Sequence, residues 1–209
     1  VKYIISPRGM LDPWALSVKK WKKKIALWLY QLKDLRCAAA FHVTAQEELS
    51  HVQDIGLNQP CIVAPNAVDL PFEMPARYVG NKVKTAIFLS RLHPGKGLLS
   101  LAEAWAKIRP NRWRMKIVGP DSYGHKKDVV EVLLRLGIRN DWEFVDALDD
   151  VKKWEVYRSA DLLVHPSVSE NFGITIAEGL AAELPVICTK GTPWRLIEER
   201  KCGWGIDIG

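Results

Sequence analysis

Two short segments of this chain concentrate side chains suited to holding phosphate and sugar hydroxyls. The first runs Ser90, Arg91, Leu92, His93, Pro94, Gly95, Lys96, Gly97 and places two cations five positions apart on a glycine-containing turn. A guanidinium grips a diphosphate with a planar fork, and an ammonium acts on it as a point charge. The spacing is not that of the GxxxxGK[ST] phosphate loop. Taken by itself, the segment reads more simply as two surface cations in a turn, with His93 a solvated turn residue.

The second segment runs from Glu170 through Asn171, Phe172, Gly173 and Ile174 to Glu178. Phe172, Gly173 and Ile174 fall where a helix should begin, so free amides and the positive helix end can bind an anion there. Gly173 lets a phosphate approach the backbone closely. Glu178 then lies about one turn inside the helix, at 1.5 Å of rise per residue. Carboxylates repel phosphate, so two acids flanking a phosphate site make sense if they receive sugar hydroxyls. Singly, Glu170 reads as an exposed loop acid and Glu178 as a helix acid favoured by the dipole.

The elements that must position these groups follow from periodicity. Asp12 with Pro13 is a helix opening, and the spacing of Trp21, Ile25, Trp28, Leu29 and Leu32 predicts a helix over Lys19 to Leu35 with lysines on its opposite face. Ala38 to Val43 and Cys61 to Ala64 read as strands, with Thr44 and Glu47 as a capping box for the helix between them. Residues 65–82 fit neither period and carry three prolines, which marks an interdomain linker. The expected division is therefore 1–64, 65–82 and 83–209.

Beyond Val83 strand and helix alternate. Strands are expected at Thr85 to Leu89, Arg114 to Val118, Glu143 to Val145, Asp161 to His165 and Pro185 to Cys188. Helices are expected near Gly97 to Ile108, Lys126 to Leu136, Asp150 to Arg158 and Ile174 to Ala182. Such alternation predicts an α/β fold with a parallel sheet covered on both faces by helices. Ligands of such sheets bind beyond the carboxyl ends of the strands, where both segments fall.

Composition narrows the function classes. The 209 residues carry 48% apolar and 26% charged side chains, ordinary for a globular chain and unlike disordered or fibrous ones. Of the net charge of +6, Val1 to Arg36 holds nine basic against two acidic groups, so the rest sums to about zero. A basic face confined to one end argues against general nucleic-acid binding. Cys37, Cys61, Cys188 and Cys202 lack zinc-site spacing and read as reduced, mostly buried thiols. No apolar run approaches the roughly 18 residues of a membrane span, and no export signal is read. Val1 is not methionine and Lys2 to Ser6 resembles the end of a strand, so the chain is expected to be a fragment.

Together these residues resemble the retaining, GT-B-fold glycosyltransferases of family 4. Glu170, seven residues, then Glu178 is similar to that family's E-x7-E signature, within the block SENFGITIAEGLAAELPVI. SRLHPGKG resembles its R-x4-K element, PNAVDL its linker, and SPRGMLDPWAL the end of its acceptor-side domain. The resemblance runs from Ile5 to Gly205. It implies a Rossmann-like donor domain preceded by the tail of a second Rossmann-like domain.

The resemblance further implies sugar transfer from a nucleotide-diphosphate sugar to an acceptor hydroxyl, with retention at the anomeric carbon and no metal or other cofactor. Arg91 and Lys96 would bind the diphosphate, with Gly119 and Ile174 also at the substrate. Glu178 would bind the ribose. Glu170 and the amides of Asn171, Phe172 and Gly173 would face the donor sugar and its phosphates, with Glu170 counted as catalytic beside Arg91 and Lys96, either as a nucleophile or as a group that positions the sugar. Arg8 stands where a histidine often faces the cleft, Asp146 and Ala147 replace a common Gly-Pro pair, and Glu183 replaces a frequent glycine. The implied acceptor is a sugar or lipid-linked saccharide, in polysaccharide or glycolipid synthesis. The expected setting is cytoplasmic, with peripheral membrane contact open to the basic N-terminal helix and no nucleic-acid partner. The fragment alone is expected to be inactive. Alternatives are a nucleotide-sugar epimerase or phosphorylase of the same fold, and a non-catalytic nucleotide-binding or membrane-surface module.

Overall fold

A computed structural model describes residues 2–17, 31–78, 80 and 82–207. Contacts divide the chain into two compact units, residues 1–67 with 169–172, and residues 68–168 with 173–209.

The second unit is built on a six-stranded sheet: β4 (Lys84–Leu89), β5 (Trp113–Val118), β6 (Trp142–Val145), β7 (Leu162–His165), β8 (Val186–Thr189) and β9 (Gly203–Ile206). Every pairing is parallel, and the order is β6-β5-β4-β7-β8-β9. Parallel strands need a crossover between them. Helices supply most of these: α4 (Leu98–Ile108), α5 (His125–Arg135), α6 (Asp150–Ser159), α7 (Ile174–Ala181) and α8 (Leu196–Glu199).

Burial shows why β4 and β7 are the middle of the sheet. Ala86 and Phe88 of β4 join one buried cluster with Leu98, Ala102, Trp105, Val129 and Leu133 from α4 and α5. Ile87, between them, points the other way into a second cluster with Trp154, Tyr157, Ile176 and Ile197 from α6, α7 and α8. Leu163 and Val164 of β7 divide between the same two clusters. Side chains alternate along a strand, so a strand apolar at successive positions must be covered on both faces. That is the expected layering.

The first unit holds a three-stranded parallel sheet, β1 (Ile4–Ile5), β2 (Ala40–Val43) and β3 (Cys61–Val63), ordered as in the sequence. Phe41 and Val43 of β2 pack with Leu11, Leu35, Val52 and Leu57. Its helices are α1 (Pro13–Ser17), α2 (Leu32–Cys37) and α3 (Gln46–Asp54). Asp12 caps α1 as expected, its Oδ1 accepting from the Trp14 amide at 2.8 Å. Of the helix expected over Lys19 to Leu35, residues 18–30 lie outside the described residues, including Trp21, Ile25, Trp28 and Leu29. Residues 64–78 form neither helix nor strand, and Val68 and Met74 pack on the second unit's core.

Three expectations are corrected. The acid paired with Thr44 is Glu48, not Glu47: its Oε2 accepts from the Thr44 amide at 2.8 Å and the Thr44 hydroxyl at 2.9 Å. Ala45 is the residue preceding α3, so the acid one position further along faces Thr44. The cysteines are free, but Cys188 alone is buried, Cys37 being exposed and Cys61 and Cys202 intermediate. Strand β9 and helix α8 were not anticipated, because a four-residue strand containing two glycines carries little β signal. Among the described residues, no helix is long and apolar enough to cross a membrane.

Candidate functional site

The strand order of the second unit runs outward in both directions from β4 and β7, so the crossovers of the two halves lie on opposite faces. A crevice opens at the carboxyl edge of the sheet at such a reversal. The loop after β4 carries Arg91 and Lys96, and the chain after β7 leads to Gly173 and α7.

The Arg91–Lys96 loop is braced on both flanks. On the β5 side, the Leu92 amide donates to the Pro120 carbonyl at 2.9 Å and the Ser122 amide to the Leu92 carbonyl at 3.0 Å. Gly119 sits so close to the end of β4 that a β-carbon there would lie 2.1 Å from the Ser90 carbonyl oxygen. On the β7 side, the Val168 amide and the Ser167 hydroxyl both donate to the Gly95 carbonyl, at 3.0 and 3.2 Å. His93 caps the short 3-10 turn Pro94–Lys96, its Nδ1 accepting from the Gly95 amide at 3.1 Å. It is a structural acceptor and not a freely solvated ring. Burial, then the nearby charges of Arg91, His125 and Lys96, hold its pKa below the ordinary value. Arg91 itself is exposed and Lys96 half-buried.

Helix α7 begins at this edge. Thr175 donates its hydroxyl to the Leu89 carbonyl at 3.1 Å, which fastens the first turn to the end of β4. Gly173 precedes the helix with φ of +77°, a left-handed conformation favouring glycine. A β-carbon on it would meet Ile176 Cδ1 at 3.1 Å and Trp194 Nε1 at 3.3 Å. Ile174 is exposed at the helix start.

Glu178 is 7% exposed and is held from α6. Lys153 Nζ donates to its Oε1 at 2.9 Å, and the Tyr157 hydroxyl donates to its Oε2 at 2.8 Å. Lys153 also reaches Asp150 at 2.9 Å. Burial and then the charge of Glu178 push the Tyr157 phenol well above its ordinary range. For Lys153 burial acts downward, but hydrogen bonds and attraction from Glu178 and Asp150 outweigh it, and its pKa is raised.

The other expected site residues belong to the first unit. Ser169–Phe172 is counted with it, so the two glutamates of the seven-residue spacing fall in different units. The Asn171 carbonyl accepts from the Thr44 hydroxyl at 3.1 Å, and the Ser169 hydroxyl donates to Asp12 Oδ2 at 2.9 Å. Arg8 and Gly9 are both left-handed, with φ of 48° and 78°. The Gly9 amide donates to Glu48 Oε1 at 2.8 Å. Glu170, Asn171 and Phe172 are half-buried.

The second unit thus collects Arg91, Lys96, Gly119, Gly173, Ile174 and Glu178, whereas Arg8, Glu170, Asn171 and Phe172 fall in the first. Sequence reasoning missed Lys153, Tyr157 and Trp194. The i, i+4 spacing of Lys153 and Tyr157 was visible, but nothing local pairs them with Glu178. Trp194 follows β8 and was open to the same inspection of strand ends that found the other loops.

The profile of the glycosyl transferases group 1 family matches residues 73–208. The chain belongs to that family. A curated relative, the D-inositol 3-phosphate glycosyltransferase of Corynebacterium glutamicum, is 30% identical over 173 residues, covering 71% of this chain and 40% of the relative. The O-antigen chain mannosyltransferase B of Escherichia coli is 27% identical over 109 residues, covering 51% of this chain and 29% of the relative. The chain therefore spans well under half the length of either relative. The crystal structure of Anabaena HepE in complex with UDP-glucose superposes with a TM-score of 0.74 at 20% identity, covering 92% of this chain and 54% of that one. As a group 1 member the chain has the expected Rossmann-like α/β architecture, with neighbours of the GT-B type.

Proposed function

We propose that this chain supplies the donor-binding part of a retaining, metal-independent glycosyltransferase, which moves a sugar from a nucleotide-diphosphate sugar to the hydroxyl of a sugar or lipid-linked saccharide in polysaccharide or glycolipid synthesis. One observation carries the reading. The loop bearing Arg91 and Lys96 and the first turn of α7 are fastened side by side at the carboxyl edge where the strand order reverses. Family membership and a neighbour bound to UDP-glucose support the same chemistry.

In this reading, loss of the nucleoside diphosphate is the demanding step. Negative charge grows on the leaving phosphate, and groups that bind it more tightly in the transition state lower the barrier. Arg91, Lys96 and the amides at the start of α7 have that role, with Gly119 letting the chain after β5 close against Ser90 at the base of the Arg91–Lys96 loop. They supply the positive charge without a metal. Glu178 receives the ribose hydroxyls. Glu170, with the amides of Asn171 and Phe172, is assigned to the donor sugar, and Arg8 to the acceptor side. Retention follows if the acceptor attacks on the face that the diphosphate leaves.

The test is calorimetric titration of the chain with UDP-, GDP- and ADP-sugars, followed by incubation of a labelled donor and saccharide acceptors with an enzyme in which this donor-binding part is joined to a complete acceptor-side part. Micromolar binding of one donor class and a product with the donor's anomeric configuration are expected. No binding of any nucleotide sugar, an inverted product, or epimerised nucleotide sugar formed without acceptor would overturn the reading.

A further inference from the structure

We infer that Lys153 and Tyr157 are positioning residues, which orient the Glu178 carboxylate so that its remaining lone pairs accept the two hydroxyls of a nucleotide ribose. The inference rests on the donor-site reading above and deepens it.

The geometry is specific to both oxygens. Oε1 takes one donor, Lys153 Nζ, and Oε2 takes another, the Tyr157 hydroxyl, at 2.9 and 2.8 Å. An ionised carboxylate has about four lone-pair sites. Two are used among the described residues, leaving one on each oxygen, which is the acceptor pattern a vicinal diol requires.

The supports are rigid. Lys153 and Tyr157 lie four apart on α6, so both project from one helix face. Tyr157 is fully buried, and Trp154 beside it joins the same core as Ile176 of α7. The two helices are thus packed, and the donors cannot drift from Glu178 without opening that core. Lys153 is further tethered by Asp150, an exposed acid that keeps the ammonium from swinging into solvent.

The electrostatics agree. A carboxylate at 7% exposure is costly to ionise unless compensated. Lys153 supplies the opposite charge and Tyr157 a neutral donor, both keeping their protons throughout the ordinary pH range. A buried ion pair in itself is weak evidence for stability. Its two-point geometry beside the donor site fits a demand for orientation.

The experiment measures the binding of UDP, GDP and ADP, each against its 2′,3′-dideoxy counterpart, to the wild-type chain and to Lys153→Met, Tyr157→Phe and Glu178→Gln. The wild type is expected to prefer the ribonucleotide by about tenfold, the size of effect when hydrogen bonds to a charged group are lost. Lys153→Met and Tyr157→Phe should bring that ratio toward one while changing dideoxynucleotide affinity less than about threefold, a pattern that general structural damage does not produce. Wild-type discrimination retained in both variants but lost in Glu178→Gln overturns the positioning role alone. Equal losses for both nucleotide forms overturn it too. A wild type that shows no discrimination removes Glu178 from the ribose, and one that binds no nucleotide removes the donor-site reading; either outcome takes this inference with it.

Discussion

Gly97 lies so close to Pro166 that a β-carbon on it would stand 2.0 Å from the Pro166 carbonyl oxygen. The two residues belong to the loops after β4 and β7, the strands at the reversal of the sheet. Their contact sets how closely the Arg91–Lys96 loop approaches the chain that leads to α7.

Replacing Gly97 with alanine is therefore expected to be severe. The residue has φ of +73°, where a side chain is strained, and the clash is with backbone, which cannot rotate away. A loss of about 3 kcal/mol is expected in urea unfolding, from backbone strain and overpacking together. Gly119→Ala, with Ser90 in place of Pro166, should behave alike. Wild-type stability in both variants would refute the assignment of these close contacts.

Arg91 and Lys96 should separate binding from folding. Neither is buried, so alanine at either position is expected to change stability by no more than about 0.5 kcal/mol. Nucleoside diphosphate affinity should nevertheless fall about tenfold or more, as charge-assisted hydrogen bonds to phosphate are lost. Paired thermal melts and titrations with UDP check this. Unchanged affinity would remove the pair from the diphosphate site.

His93 predicts an acid limb in stability. Its folded pKa lies below the ordinary 6.5, because burial and the charges of Arg91, His125 and Lys96 disfavour the imidazolium. As pH falls, the unfolded chain takes up this proton first. The contribution is complete above about pH 6.5, is lost as pH falls toward the lower folded value, and is absent below it. Protonation of Nδ1 would also remove the acceptor of the Gly95 amide. His93→Asn does not titrate, so its melting temperature should fall less than the wild type's between about pH 7 and 5. Parallel curves for the two proteins would count against it.

Glu48 anchors the first unit. It is 4% exposed and accepts from the Thr44 amide, the Thr44 hydroxyl and the Gly9 amide. Glu48→Ala strands three donors and should cost about 3 kcal/mol. Glu47→Ala, one position away, should cost far less. Denaturant curves in which Glu47→Ala is the more damaging change would restore the sequence-based capping box.

The sequence by itself determined the alternation of strand and helix after Val83, the layered parallel sheet, and the two segments that end beside its edge. These follow from short-range properties: the period of apolar residues, glycine where the chain must turn or crowd, and charge next to a helix start. Successive apolar residues such as Ala86, Ile87 and Phe88 can be buried only between two helical layers, whichever residues those layers contain. The tertiary structure decided what no local pattern encodes. Lys153 and Tyr157 meet Glu178 across 24 and 20 intervening residues, and Gly97 meets Pro166 across nearly 70. It also decided that Glu48 is the partner of Thr44, and that His93 is a cap. Each outcome depends on which backbone groups become neighbours once the layers are packed, because hydrogen bonds act over a few ångströms of space and are blind to separation along the chain.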